Sequence, residues 1–305
     1  MACCQLAPRV AAPEANRAAC RLAAERAAEL GAQIVILPEL ANSGYVFHDE
    51  PEARTLAEPL HGPTTTDWLN LAGRLGIILV GGICELGDDG RLYNSAVIIG
   101  GSSLRASYRK AHLWDTEKLV FAPGGEPPPI AEVDGLRLAV MICYDLEFPE
   151  WVRLPALAGA ELLCVPANWP RLPRPGGERP MEVVRAQSAA AVNRIFIAVC
   201  DRVGHERGVD WVGGSAIIDP DGWPLAGPEP GDQERILVAD CDLRAAADKA
   251  VSERNDVLAD RRPELYRSLL EDHGLAGDGG LIAGGPEMAA DDEDGVRWQG
   301  GGGTR

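Results

Sequence analysis

Apolar residues recur along this chain in two rhythms, and the rhythms switch often. Residues 2–6 are short and mostly apolar, as a strand would be. Over 14–30 the residues Ala15, Ala18, Ala19, Leu22, Ala23 and Leu30 fall on one helical face, and Gly31 follows as a stop. Gln33-Ile-Val-Ile-Leu37 is a β-branched run, read as a buried strand, and it halts at Pro38-Glu39. A helix is expected over 64–75, then strands over 77–84 and 94–99. Asp88-Asp-Gly90 has the chemistry of a tight turn, so these two strands should form a hairpin. The second half repeats the theme. Strands are expected over 136–142, 161–165 and 195–200, with helices over 149–158 and 182–193 between them. A hairpin begins at 215–218 across Asp219-Pro-Asp-Gly222, and a last strand lies at 236–238. Buried strands alternating with helices predict an α/β fold with a mixed sheet and helices outside. The doubling suggests two sheets packed face to face and flanked by helices. From Gly274 the chain is rich in Gly, Asp, Glu and Ala without periodicity. We therefore expect a folded domain over 1–272 and a disordered tail over 273–305.

Composition narrows the class. With 46% hydrophobic residues, a chain of 305 can bury a large core as one big domain or two ordinary ones. A net charge of −17 argues against nucleic acid and anionic membranes as partners. No apolar run reaches the length of a membrane span, and no basic segment followed by an apolar one opens the chain, so neither a span nor an export signal is expected. The eight cysteines show neither a CxxC pair nor Cys/His ligand spacing. Several lie in apolar runs and read as small buried hydrophobes, which fits a reducing cytoplasm. No metal and no cofactor are expected, and the pairs Gly81-Gly82 and Gly100-Gly101 do not form a phosphate-binding pattern.

Candidate chemistry stands where strand-like runs end. Glu39 follows one, Lys110 another and Cys143 a third, in Ile142-Cys-Tyr-Asp145. The carboxyl ends of strands in α/β proteins are where ligands bind. A thiol needs a base to become a strong nucleophile, and a carboxylate in a dry pocket can serve. Attack on a carbonyl or nitrile carbon builds negative charge that a cation and backbone N–H groups stabilise, the N–H of Tyr144 among them. Taken singly, each residue has a plainer reading: Glu39 as a helix cap or surface group, Lys110 as a solvated lysine, Cys143 as core. None of the five histidines is placed for a Cys/His pair, and only His112 is near a candidate.

The motifs together resemble the nitrilase superfamily of carbon–nitrogen hydrolases. Leu37-Pro-Glu-Leu40 with Ser43-Gly-Tyr45 is similar to its glutamate motif. Tyr108-Arg-Lys-Ala-His-Leu113 with Glu117, then Phe121-Ala-Pro-Gly-Gly125, is similar to its lysine motif and the following loop. Ile142-Cys-Tyr-Asp-Leu-Glu-Phe-Pro-Glu150 is similar to its cysteine motif. Pro166-Ala-Asn-Trp-Pro170, Arg185-Ala-Gln-Ser188 with Asn193, and Gly213-Gly-Ser215 also match. The resemblance implies a four-layer α-β-β-α sandwich, a carbon–nitrogen hydrolase domain that pairs into homodimers or higher assemblies. It implies Glu39 as general base, Cys143 as the residue that becomes a thioester, and Lys110 as oxyanion stabiliser. Glu117 is implied as a second active-site glutamate that holds Lys110. Tyr144, Asp145, Glu147, Asn168 and Trp169 are the expected substrate-binding residues.

Nitrilases of the superfamily generally carry tryptophan then glutamate after the nucleophile, whereas this chain has Tyr144-Asp145. That resembles the amidase branches, particularly bacterial amidases acting on short amino-amides such as 5-aminopentanamide. Hydrolysis of N-carbamoyl compounds is the alternative, with Arg171, Arg174 and Arg179 as a carboxylate clamp or as solvent-facing residues. A true nitrilase, and a non-hydrolytic binding subunit or acyltransferase, are further readings. Asp145 and Glu147 could receive a substrate ammonium, although Asp145 could equally cap a helix. Trp169 lines the pocket or simply packs, and the loop from Gly204 to Trp211 could shape one rim.

Overall fold

The computed structural model describes residues 1–229 and 231–271. The chain divides into two units, Met1–Lys249 and Ala250–Arg305. The first contains two six-stranded sheets. In one, β1 (Ala2–Gln5), β2 (Ile34–Ile36) and β3 (Ile78–Leu86) run parallel, and β4 (Leu92–Gly100) and β5 (Ser103–Arg109) continue the sheet antiparallel. The strand Arg235–Val238 closes its other edge against β1. In the second sheet, β7 (Leu136–Val140), β8 (Leu162–Pro166) and β9 (Phe196–Cys200) are parallel. Antiparallel β6 (Ile130–Val133) flanks β7, and the hairpin Ala216–Ile218 with Pro224–Ala226 flanks β9. Each sheet thus has a parallel centre, which puts three strand carboxyl ends side by side.

Alternation along the strands explains why the runs read as wholly apolar. Ile78, Val80, Ala96 and Ile98 join one core with Leu138, Val140, Leu163 and Val165 of the other sheet. Their neighbours Leu79, Val97 and Ile99 join a second core with Ala23 and Ala27 of α1 (Pro13–Glu29) and Trp68 and Leu71 of α3 (Pro63–Leu75). Both faces of the sheet are covered, so neither set of positions can be polar. Val152 and Ala156 of α4 (Pro149–Leu157) and Val183, Ala186 and Ala190 of α5 (Met181–Asn193) pack with the second sheet. The layers therefore run helix, sheet, sheet, helix, as the sequence led us to expect. Short α2 (Glu50–Leu56) and strand β6 were not anticipated. The helix α2 is capped by Asp49, whose side chain accepts from the Glu52 N–H.

In the second unit, Ala250–Ser252 pairs with Asn255–Asp256, and the Asp260 carboxylate accepts from Asn255 Nδ2 and the Asp256 N–H. The expected boundary after residue 272 and the tail over 273–305 lie outside the described residues. Among the described residues, no helix is long and apolar enough to cross a membrane. All eight cysteines are free, and all but Cys241 are buried.

Candidate active site

Four strand ends converge. Glu39 lies just past β2, where Pro38 and a left-handed Leu40 (φ +47°) turn the chain out of the sheet. The turn presses on β3 so closely that a Cβ on Gly82 would lie 2.6 Å from Glu39 Cα. Lys110 follows β5, and its N–H donates to the Asn94 carbonyl of β4 at 2.8 Å. Cys143 follows β7 and opens the one-turn helix Cys143–Glu147 at φ +49°, a strained angle for a residue with a side chain. Asn168 lies just past β8.

The structure brings Glu39, Lys110 and Glu117 into one buried cluster. Lys110 Nζ donates to Glu39 Oε1 at 2.8 Å and to Glu117 Oε1 at 2.7 Å, with all three side chains shut off from solvent. Asn94 Nδ2 donates to the same two oxygens at 2.6 and 3.3 Å. Glu117 sits in the turn Asp115–Leu119 and is held further by the Tyr45 hydroxyl at 2.7 Å and the Trp114 N–H at 2.9 Å. Glu39 Oε2, by contrast, is buried with no hydrogen-bond partner. Asn168 joins the two halves of the site: its Nδ2 donates to the Glu39 carbonyl at 3.0 Å, and its own carbonyl accepts from Cys143 Sγ at 3.9 Å.

Burial sets the protonation states. Desolvation pushes the Glu39 carboxyl up, Lys110 pulls it down and Glu117 pushes it up again, leaving it at about 7. Burial also raises the Cys143 thiol well above its ordinary value, helped by Glu39 and Glu117 and opposed by Lys110. Desolvation works against charge on Lys110, but the two carboxylates outweigh it and hold its pKa well above the ordinary range. The cluster is therefore a neutral thiol beside an ammonium and a carboxylate poised near neutrality. It can move a proton from sulfur to oxygen at the moment an electrophile arrives, and it needs no standing thiolate.

A cavity of about 80 Å³ opens over Cys143 and is lined by Trp114, Tyr144, Glu147, Trp169, Leu172, Glu182 and Arg185, with Pro170. Tyr144, Glu147 and Trp169 are thus in the pocket, while Asn168 is buried and not among its lining residues. Asp145 does not line it either, which corrects the expectation that it receives a substrate ammonium. The turn after Cys143 folds its carboxylate inward. There Oδ1 accepts from the His112 N–H and ring nitrogen, and Oδ2 accepts from the Tyr108 hydroxyl and the Ile142 N–H. Nor do the three loop arginines form a clamp. Arg171 donates to the Trp211 carbonyl and to Asp232, Arg179 donates to Gln187, and Arg174 is exposed. The cation at the pocket is Arg185, paired with Glu147 at 3.0 Å. The loop from Gly204 to Trp211 serves as an anchor. Glu206 accepts from the Val10, Tyr45 and Val46 N–H groups and from the buried Arg202, which fixes the segment carrying the Tyr45 hydroxyl.

Sequence reasoning missed Asn94, Tyr45 and Arg185 as site residues. Asn94 left a signal: with Ser95 it is a polar interruption in a strand buried at every position. Among the described residues, no group of three or more His, Cys, Asp or Glu is arranged to hold a metal ion.

Residues 1–250 match the family model described as carbon-nitrogen hydrolase. The chain is 35% identical over 263 residues to a protein named nitrilase from Pyrococcus abyssi, spanning 86% of this chain and 97% of that one. It is 33% identical over 238 residues to the 2-oxoglutaramate amidase of Bacillus subtilis, spanning 77% and 87% respectively. Among solved structures, an amidase from Nesterenkonia sp. matches with a TM-score of 0.72 at 31% identity, covering 88% of this chain and 95% of that chain. In a mutant of that amidase, the acetamide moiety of fluoroacetamide is covalently added at the active-site cysteine. The two sheets and their helices match these amidase structures. The chain belongs to the carbon-nitrogen hydrolase family of the nitrilase superfamily, and is a hydrolase of carbon–nitrogen bonds other than peptide bonds.

Proposed function

We propose that the protein is a thiol amidohydrolase that cleaves a small aliphatic amide through a thioester on Cys143, releasing ammonia and a carboxylate. One observation carries the reading: Glu39 is fixed through Oε1 by Lys110 and Asn94, while its Oε2 is buried and unpartnered and its charge acts on the neutral Cys143 thiol. Glu39 Oε2 takes the thiol proton as sulfur bonds to the carbonyl carbon. The carbonyl π electrons move to oxygen, which Lys110 Nζ and the Tyr144 N–H stabilise. An ammonium has three donors, and two of those on Lys110 go to Glu39 and Glu117, so one is left for the oxyanion. Glu39 then returns the proton to nitrogen, the C–N bond breaks and ammonia departs. Water enters, gives a proton to Glu39 and attacks the thioester, and the proton returns to the departing sulfur.

The rim favours an acyl group without negative charge. Arg185 is neutralised by Glu147, whose carboxyl is pushed up by burial, pulled down by Arg185 and pushed up again by Glu182, a second carboxylate at the rim. An N-carbamoyl amino acid would bring its own carboxylate to this acidic rim, so the amide reading is the better one. The reading includes a cytoplasmic homodimer. Leu154 and Leu157 of α4 with Val184 and Val192 of α5 are exposed apolar residues of the kind an interface covers. The test is acid quench of a reaction with a short amide, followed by mass spectrometry. An acyl adduct on Cys143 and ammonia release, both lost in Cys143→Ala, are expected. Ammonia release that survives Cys143→Ala would sink the proposal.

A further inference from the structure

What the site lacks is donors. Glu39 Oε2, Asn94 Oδ1 and Asn168 Oδ1 are all buried oxygens with no hydrogen-bond partner. Buried acceptors are nearly always satisfied, so three in one cluster mark a place where donors arrive from outside. Asn94 is spent behind the lysine, with its nitrogen on both carboxylates. Asn168 instead links the nucleophile's segment to the base's: its main-chain carbonyl meets Cys143 Sγ, and its Nδ2 holds the main-chain carbonyl of Glu39. That tether leaves Oδ1 as the unmatched atom of a side chain almost wholly buried.

We propose that Asn168 Oδ1, together with Glu39 Oε2, receives the N–H groups of the scissile carboxamide, and so selects a primary amide over the nitrile of the same acyl group. The inference rests on the amidohydrolase reading of Cys143 and names the determinant within it. A primary amide brings two N–H donors, an N-methyl amide one, and a nitrile none. A nitrile would leave both oxygens buried and unpaired while it bound. The same contact orders the leaving step. Once sulfur has bonded to carbon, the nitrogen must turn its lone pair toward the proton on Glu39. An N–H held by Asn168 fixes that rotation. The C–N bond then breaks with its electrons going to nitrogen, the proton passes from Glu39 to nitrogen, and ammonia leaves the thioester behind.

The experiment uses the full chain with butyramide, butyronitrile and p-nitrophenyl butyrate, which share one acyl group. The ester's leaving group has no N–H. Wild type is expected to favour the amide over the nitrile in kcat/KM by about a thousandfold or more, as sites built to bond an N–H do. Asn168→Ala also cuts the Glu39 tether and so slows both substrates, but it should lower kcat/KM for the amide at least about twentyfold more than for the ester. A merely structural Asn168, which only tethers the Glu39 turn, would lower both together, and a parallel loss overturns the proposal. Wild-type hydrolysis of the nitrile within about tenfold of the amide also overturns it. Asn168→Asp keeps an acceptor and loses the donor, so its amide-to-ester ratio should stay near wild type, and a collapsed ratio counts against the proposal even if the alanine variant fails to fold. If wild type turns over none of the three and Cys143 stays unacylated, the amidohydrolase reading falls and this one with it. A parallel loss on an active enzyme removes the Asn168 role alone.

Discussion

Glu39→Gln isolates the proposed base from the scaffold around it. The amide oxygen of glutamine can keep the position of Oε1, accepting from Lys110 Nζ and Asn94 Nδ2. Its nitrogen then takes the place of the unpartnered Oε2, the atom proposed to move the proton. Lys110 stays paired with Glu117, so the fold has no reason to open. The magnitude follows from the thiol. An ordinary cysteine is only a few per cent ionised at pH 7, and burial raises Cys143 well above that, so its spontaneous thiolate is scarcer still. Loss of a positioned base should therefore cost at least ~10² and up to ~10⁴ in kcat/KM, about 3–5 kcal/mol in the barrier.

The pH profile supplies the second readout. Glu39 must be ionised to take a proton, and burial has pushed it up to about 7. Wild-type kcat/KM is then full above that pH and falls tenfold per unit below it. Glu39→Gln should lack this limb. The sign for stability is opposite to the usual carboxylate: a raised group contributes most when protonated, so its contribution is lost as pH rises through its folded value. Glu39→Gln should accordingly gain melting temperature relative to wild type at pH 8, where wild type holds the buried charge, more than at pH 5. Ammonia release across pH 5–9 and thermal melts at both pH values make the measurement. A variant that retains more than about a tenth of wild-type kcat/KM would refute the assignment of the base.

Three further substitutions probe the surroundings. Lys110→Met removes the proposed oxyanion donor and should lower kcat/KM by ~10²–10³. It also leaves two buried carboxylates unpaired, so its melting temperature should drop unless Glu117→Gln is added; near-normal ammonia release would remove the lysine from the mechanism. Tyr45→Phe deletes the hydroxyl that holds Glu117 and should lower kcat/KM by about tenfold, the worth of a hydrogen bond to a charged acceptor; an unchanged value would make the contact incidental. Asp145→Asn should lower stability by about 2–4 kcal/mol, because one amide oxygen cannot serve four donors. Its KM values for an amino-amide and a neutral amide of equal length should shift alike, and a selective rise for the amino-amide would return Asp145 to the pocket.

The order of strands and helices was legible because both faces of each sheet are buried, which forces unbroken apolar runs at β2, β3, β7, β8 and β9. Glu39 and Cys143 stand at the ends of such runs and Lys110 after the half-exposed β5, but each read singly as cap, solvated lysine or core, and it was the resemblance of the combined motifs that gave them roles. Side-chain direction was not legible. Asp145 and Glu147 are two residues apart in one turn, yet the first folds back onto the Ile142 N–H while the second lines the pocket. Arg185 lies far along the chain from Cys143, and only the packing of α5 brings it to Glu147. Short α2 carries too few residues for a periodic signal, and its cues lie at its ends: Asp49 as cap, Pro51 with Glu50 and Glu52 in the first turn, and Arg54 in the last.

The deepest dependence in this site is between its two sheets. Glu39 and Lys110 belong to one sheet, Cys143 and Asn168 to the other, so chemistry requires a registration that no single element supplies. The contact that crosses between the sheets is Asn168 Nδ2 on the Glu39 carbonyl, and Gly82 sets the Glu39 turn within its own sheet. A Cβ there would meet Glu39 Cα and the Leu40 N at 2.6 Å each, both main-chain atoms that cannot rotate away. Strand β3 is held by a nine-residue ladder to β4, whereas the turn after β2 is held by fewer bonds. Gly82→Ala should therefore displace the turn and not the strand. A shift of ~1 Å in the base is enough to cost about 10² in rate while the core survives. The expected variant is folded, loses a few degrees in melting temperature, and is about a hundredfold weaker in kcat/KM, with Cys143 still open to alkylation. Full activity in a folded Gly82→Ala protein would mean that the turn has slack, and that the position of Glu39 is set by Lys110 and Asn94 alone.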